Sequence, residues 1–160
     1  MRYSVSVVGV LSFTTYKVVT MTYIPRGLRR KILIAAQHRC GYCLTSQLIS
    51  GAQLHIEHII PLADGGTSDE TNLWIACAWC NGFKGTQTLA VDPETKKEAP
   101  LFNPRFQQWA AHFRWSDNGI FIFGITATGR ATVMALQLNN EYILPARRHW
   151  VSAGWHPPQV

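Results

Sequence analysis

The sequence predicts a chain of the α+β class, built around a short strand–loop–strand–helix unit with a basic helical flank before it and a small α/β extension after it. Three observations carry that expectation. Two Cys-x2-Cys pairs bracket one segment, polar and apolar residues alternate on both sides of a glycine-bearing turn inside it, and apolar residues recur at helical spacing just ahead of it. At 160 residues the chain has room for one domain-sized core, and 47% hydrophobic against 15% charged residues excludes a charge-solvated disordered chain. The expected division is residues 1–23 as a strand segment or poorly ordered leader, 24–91 as the central unit and 92–160 as the extension.

Taken in order, the opening MRYSVSVVGVLSFTTYKVVTMTY alternates Ser, Thr and Tyr with Val and Phe too often for the apolar run of a signal peptide. One or two strands, or a misplaced start, fit it better, and no window approaches the roughly 18–20 apolar residues of a membrane span. The expectation is a cytoplasmic protein with no membrane partner. PRGLRRKILIAAQHRC then places Leu28, Ile32, Leu33, Ala35 and Ala36 at helical spacing, leaving Arg29, Arg30 and Lys31 on or around the exposed side.

Cys40 and Cys43 form the first pair and Cys77 and Cys80 the second, with 33 residues between the pairs. Each pair supplies one edge of a tetrahedron of thiolates, the pattern of a structural Zn2+ site rather than of a disulfide scaffold or a single redox pair. Such a cross-link stabilises the intervening segment by roughly 3–4 kcal/mol on a loop-entropy argument. With four thiolates the ion has no open position, so it is not expected to be catalytic.

Inside the bracket, Gln53 to Ile60 reads as a strand ending at Pro61, Ala63 to Thr71 as turn, Asn72 to Ala76 as a second strand paired back on the first, and the residues from Ala78 onward as a helix. On a regular strand His55 and Glu57 share one face and His58 takes the other, unless a bend or bulge near His58 turns Glu57 and His58 to one site.

The residues HIEHIIP, the Gly65-Gly66 pair, Asn72-Leu73 and CxxCNxxKG together resemble the HNH nucleases, most closely over residues 24–90. The resemblance implies a ββα-metal nuclease core stapled by the zinc site. In it His58 is the general base, Asn72 orients that base through its loop, and Glu57 and Asn81 hold one divalent ion. Glu57 stands where many members have Asp, and Asn81 where many have His, so the pair of oxygen ligands suits Mg2+ or Mn2+. The implied activity is metal-dependent hydrolysis of DNA, expected to be double-stranded, without an organic cofactor, alone or within a larger nuclease or restriction complex. A zinc-stabilised nucleic-acid-binding module without turnover is the alternative.

Charge supports an anionic partner. The net charge is +6, and residues 1–54 hold seven basic groups and no acid, whereas residues 55–98 total −4 and residues 99–160 total +3. Arg29, Arg30 and Lys31 are the candidate phosphate contacts, joined by Lys84, three residues beyond Asn81 on the expected helix. His55 is read as a structural or supporting residue.

Downstream, DPETKKEAP from Asp92 to Pro100 reads as a polar boundary. Phe106 to Trp115 reads as a short helix with Trp109 and Phe113 on one stripe, and GIFIFGITATGRATVMALQLN as two antiparallel strands joined near Ala127 to Gly129. Phe102 to Arg105 (FNPR) and Thr128 to Thr132 (TGRAT) resemble the tail of some bacterial HNH proteins.

Overall fold

A computed structural model describes residues 23–159. The strands expected before residue 23 lie outside that range. Helix α1 spans Arg26–Ala35 and begins at Pro25, whose fixed φ of −56° leads into the first turn. Ile32 is buried and Leu28 and Leu33 pack beside it, while Arg26, Arg29 and Arg30 face solvent. The helix stops where Gln37 and His38 take positive φ of 52° and 55°, and His38 N closes the end on Leu33 O at 3.0 Å. The chain thereby turns straight into the first cysteine pair.

A one-turn helix α2 (Gln47–Ser50) leads to strand β1 (His55–His58), which pairs antiparallel with β2 (Leu73–Ala76). The register is one-to-one, with Glu57 opposite Trp74 and His58 opposite Leu73. No extra residue enters the ladder, and the chain bends only after His58, at Ile59 and Ile60. Helix α3 (Ala78–Lys84) starts directly at the second cysteine pair and packs on both strands, completing a ββα unit. Gly66 permits the loop between the strands to fold tightly, because a Cβ there would lie 1.9 Å from Ile60 O.

The expected boundary at residues 92–100 is instead the turn of a hairpin, β3 (Leu89–Val91) with β4 (Glu98–Pro100). Asp92 explains why a polar tract folds inward: it is fully buried and receives Arg130 Nε at 2.8 Å and Nη2 at 2.7 Å, besides Thr95 Oγ1 at 2.7 Å. A cut at residue 91 would therefore divide one hairpin.

Two further expectations are corrected. Phe106 to Trp115 is not a helix: a 3-10 turn at Trp109–Ala111 runs into strand β5 (Phe113–Trp115). Trp109 and Phe113 still meet, with ring centroids 5.1 Å apart, so the four-residue apolar spacing reports a real contact made by another backbone. Only the first of the two strands expected next exists, β6 (Ile122–Gly124), paired with β5. The second is helix α4 (Ala127–Ala135), capped by Thr126 Oγ1 accepting from Gly129 N at 3.0 Å. Gly129 lets that helix approach closely, since a Cβ there would lie 2.1 Å from His112 O. Asn139 supplies β6 with the pairing a second strand would have given, its side chain exchanging two hydrogen bonds of 2.8 and 2.9 Å with the backbone of Ile122.

Helix α5 (Ile143–Ser152) closes the fold. One core cluster runs through both halves, from Ile32, Tyr42, Leu73 and Ile75 to Phe102, Trp109, Phe113, Ile122 and Leu138. Trp109 joins them by a specific bond, donating from Nε1 to Tyr42 O at 2.8 Å, within the first cysteine pair. Among the described residues no helix is long and apolar enough to cross a membrane.

Candidate functional site

The two cysteine pairs converge. Cys40, Cys43, Cys77 and Cys80 are free, their Sγ atoms all lie within 4.8 Å of one another, and Cys43 Sγ is 3.8 Å from Cys77 Sγ. A Zn–S bond of about 2.3 Å puts two thiolates of a tetrahedron about 3.8 Å apart, so the donor set fits zinc in chemistry and spacing. Thr45 Oγ1, 3.2 Å from Cys43 Sγ, is placed to donate to a thiolate, and Cys80 N donates to Cys77 Sγ at 3.4 Å. Hydrogen bonds from Cys40, Cys77 and Cys80 push the Cys43 thiol below its ordinary range, whereas burial pushes Cys40 above it. A cation is what lets all four ionise together.

Beside this centre, the loop from Ile59 to Asn72 is held by one side chain. Asn72, buried, donates from Nδ2 to Ile60 O at 2.9 Å and Thr67 O at 2.8 Å, and its Oδ1 accepts from Ile60 N at 2.9 Å. The loop returns Ser68 to the end of β1, where its hydroxyl lies 2.8 Å from His58 Nε2. His58 is half-buried, and its pKa is pushed below the usual histidine range, by burial first and then by the Lys84 charge, so the ring is neutral at pH 7.

Residues 40–87 match the HNH endonuclease family. The match classifies the enzyme type, and it spans the cysteine centre, both strands and α3. No curated protein and no solved structure matches the chain significantly.

The alternation of β1 turns Glu57 away from His58 and into the interior, where it is 4% exposed. Lys84, 2% exposed, places Nζ 2.6 Å from Glu57 Oε1 and donates to His58 O at 3.2 Å. The expectation that Lys84 contacts a substrate phosphate is thereby corrected: its ammonium is enclosed and ties α3 to the end of β1. Burial raises the Glu57 carboxyl above its ordinary range, with Lys84 and then the Tyr42 hydroxyl acting against it. Among the described residues neither Glu57 oxygen nor the Tyr42 hydroxyl makes a well-formed hydrogen bond, and a buried carboxylate short of donors is one that suits a further cation. Asn81 sits half-buried on α3 three residues before Lys84, on a neighbouring position of the helix surface. Among the described residues the cysteines are the one group of three or more His, Cys, Asp and Glu side chains clustered tightly enough for a metal. A second ion would therefore rest on Glu57, Asn81 and non-protein ligands. His55 is exposed at the start of β1.

Of the basic cluster, Arg29 and Arg30 are exposed, while Lys31 pairs with Glu70 at 2.6 Å. Glu70 also takes Arg105 Nη2 at 2.7 Å, and its carboxyl is held below the usual range by Lys31 first and Arg105 next. These pairs bring α1 and the 102–105 segment to the loop that Asn72 closes. Sequence reasoning missed Ser68 and the engagement of Arg105. Ser68 carries no signal among ordinary turn residues, whereas the arginine of FNPR was visible without its partner 35 positions away.

Proposed function

We propose that this chain is a metal-dependent DNA endonuclease in which His58 is the general base for attack of water on a phosphodiester. The supporting observation is a neutral, half-buried imidazole fixed at the end of β1 by a loop hydroxyl, inside the segment that matches the HNH family. In the tautomer whose Nε2 donates to Ser68 Oγ, Nδ1 keeps its lone pair to accept a proton from water. Asn72 positions that base indirectly, because it closes the loop that carries Ser68. Glu57 and Asn81 would hold Mg2+ or Mn2+, which when bound supplies charge neutralisation at the phosphoryl oxygens and the departing 3′ oxygen; because Glu57 is enclosed against Lys84 on the strand face opposite His58, this reading requires that ion pair to open. Lys84 opposes the upward push that burial gives the Glu57 carboxyl. Arg29 and Arg30, exposed on α1, supply phosphate contacts that need charge and reach but no base-specific geometry.

Single-turnover cleavage of supercoiled plasmid, with Mg2+ and with EDTA, tests this reading. His58→Ala is expected to lower the rate by roughly 100-fold to 10,000-fold while leaving zinc content, folding and DNA affinity in place. Equal rates for the variant and the native chain would remove His58 as the base. The closed Glu57–Lys84 pair favours one second reading, a zinc-stabilised nucleic-acid-binding module. It predicts DNA binding without metal-dependent cleavage in the native chain.

A further inference from the structure

Arg147 lies on α5, and its side chain is 0% exposed. Nη1 donates to Ile120 O and Asn139 Oδ1, each at 3.1 Å, and the guanidinium lies 5.3 Å from the centre of the Trp115 ring. Among the described residues Nε and Nη2 have no hydrogen-bond partner. A buried guanidinium left with unsatisfied donors is strongly destabilising unless an anion faces it. The anion is identifiable, because Arg147 lines a narrow cavity of about 10 Å³ together with Cys43, Cys77 and Cys80, and no Asp or Glu lines it. That volume holds one water at most.

Four thiolates around one Zn2+ leave two uncompensated negative charges in a site whose sulfurs are almost fully removed from solvent. We propose that Arg147 is the counter-ion of the four-cysteine zinc centre, its free Nε and Nη2 answering the surplus thiolate charge directly or through a single water. His156, packed on Trp115 with ring centroids 4.5 Å apart, does not compete as the cation. Its pKa is pushed down to about 4, by burial and then by the Arg147 charge, so it is neutral at pH 7. The C-terminal helix is thus fastened to the metal centre by charge, and the affinity of the cysteines for zinc depends on a residue more than sixty positions beyond the last of them.

The test is competitive zinc titration of the purified full chain against a chromogenic chelator. Arg147→Met is expected to weaken zinc binding by about 10-fold to 100-fold, the range for residues that support metal ligands from outside the coordination shell. A folded Arg147→Met chain with zinc affinity within twofold of the native chain would overturn the proposal. Should that variant not fold, Arg147→Met combined with Cys77→His decides the matter, because it removes one positive and one negative charge together. Recovery of folding or zinc binding in the double variant supports the pairing. A double variant as defective as the two single changes added together overturns it.

Discussion

Two buried carboxylates in this protein each meet one basic side chain, and the outcomes are opposite. Asp92 receives both arms of Arg130, the Thr95 hydroxyl and the backbone N–H of Glu94 and Thr95, and its carboxyl is held far below the ordinary range, by Arg130 first. Glu57 meets a single ammonium at Oε1, has no well-formed hydrogen bond at either oxygen among the described residues, and is raised above its ordinary range by burial. The difference lies in the number of donors. A carboxylate whose lone pairs are filled by a fork and two N–H groups is a fastening, here of the β3–β4 hairpin to α4, whereas one with fewer donors in a buried place bears more of the cost of burial.

The largest expected effect that can break this contrast follows Lys84→Met. It leaves Glu57 buried without a countercharge and should destabilise the fold by roughly 3–5 kcal/mol at pH 7.5. Because the remaining Glu57 then has a pKa raised further above its unfolded value, the lost stability returns as pH falls and the carboxyl is protonated. Urea unfolding at pH 5 and pH 7.5 measures this, and an equal deficit at both values would show that Glu57 does not feel the missing charge.

Asp92→Asn should cost less and show the opposite dependence. A carboxyl with a depressed folded pKa contributes stability that is present above the unfolded value near 4 and lost as pH falls below it. The variant should therefore have a flatter decline in melting temperature between pH 5 and pH 2.5 than the native chain. A parallel decline would remove the Arg130 clamp as its cause.

The smallest effect is expected at the surface, where Lys31 and Glu70 are open to water. Replacing Arg29 and Arg30 by Gln should lower the log–log salt dependence of DNA binding by up to about two units. Lys31→Gln should add less than about one, because Glu70 already neutralises that lysine. Filter binding between 50 and 300 mM salt separates these values, and a full additional unit from Lys31 would show that the pair opens on DNA.

Much of the site was legible because its signals are local. The spacing of Cys40, Cys43, Cys77 and Cys80 encodes the thiolate tetrahedron, and the strands around Gly65-Gly66 follow from two-residue alternation. Alternation alone also stated the awkward fact that Glu57 and His58 face opposite ways. What it could not state is the partner that waits on the buried side, since Lys84 comes from another element 27 positions later. The same limit explains the lysine's misreading as a phosphate contact. In the extension the failures were of a different kind. Residues Ile120 to Leu138 alternate enough to read as strands throughout, yet the Thr126 cap and the tolerance of Gly129 for close packing let the second half wind into α4, with the side chain of Asn139 pairing in the missing strand's place. Tertiary packing decided between two local conformations that the pattern leaves nearly equal.

The bond from Trp109 to the carbonyl of Tyr42 bears on whether the matched segment could stand alone. Its indole, seated between the first two cysteines, belongs to a part of the chain beyond the family segment, and the same core cluster holds Ile32 before that segment and Phe113 and Leu138 after it. Residues 40–87 are therefore not a portable cassette. Taken alone they would leave the cysteine turn without its indole roof and the core without Ile32, Phe113 and Leu138, so the matched segment depends on chain before and after it for its packing.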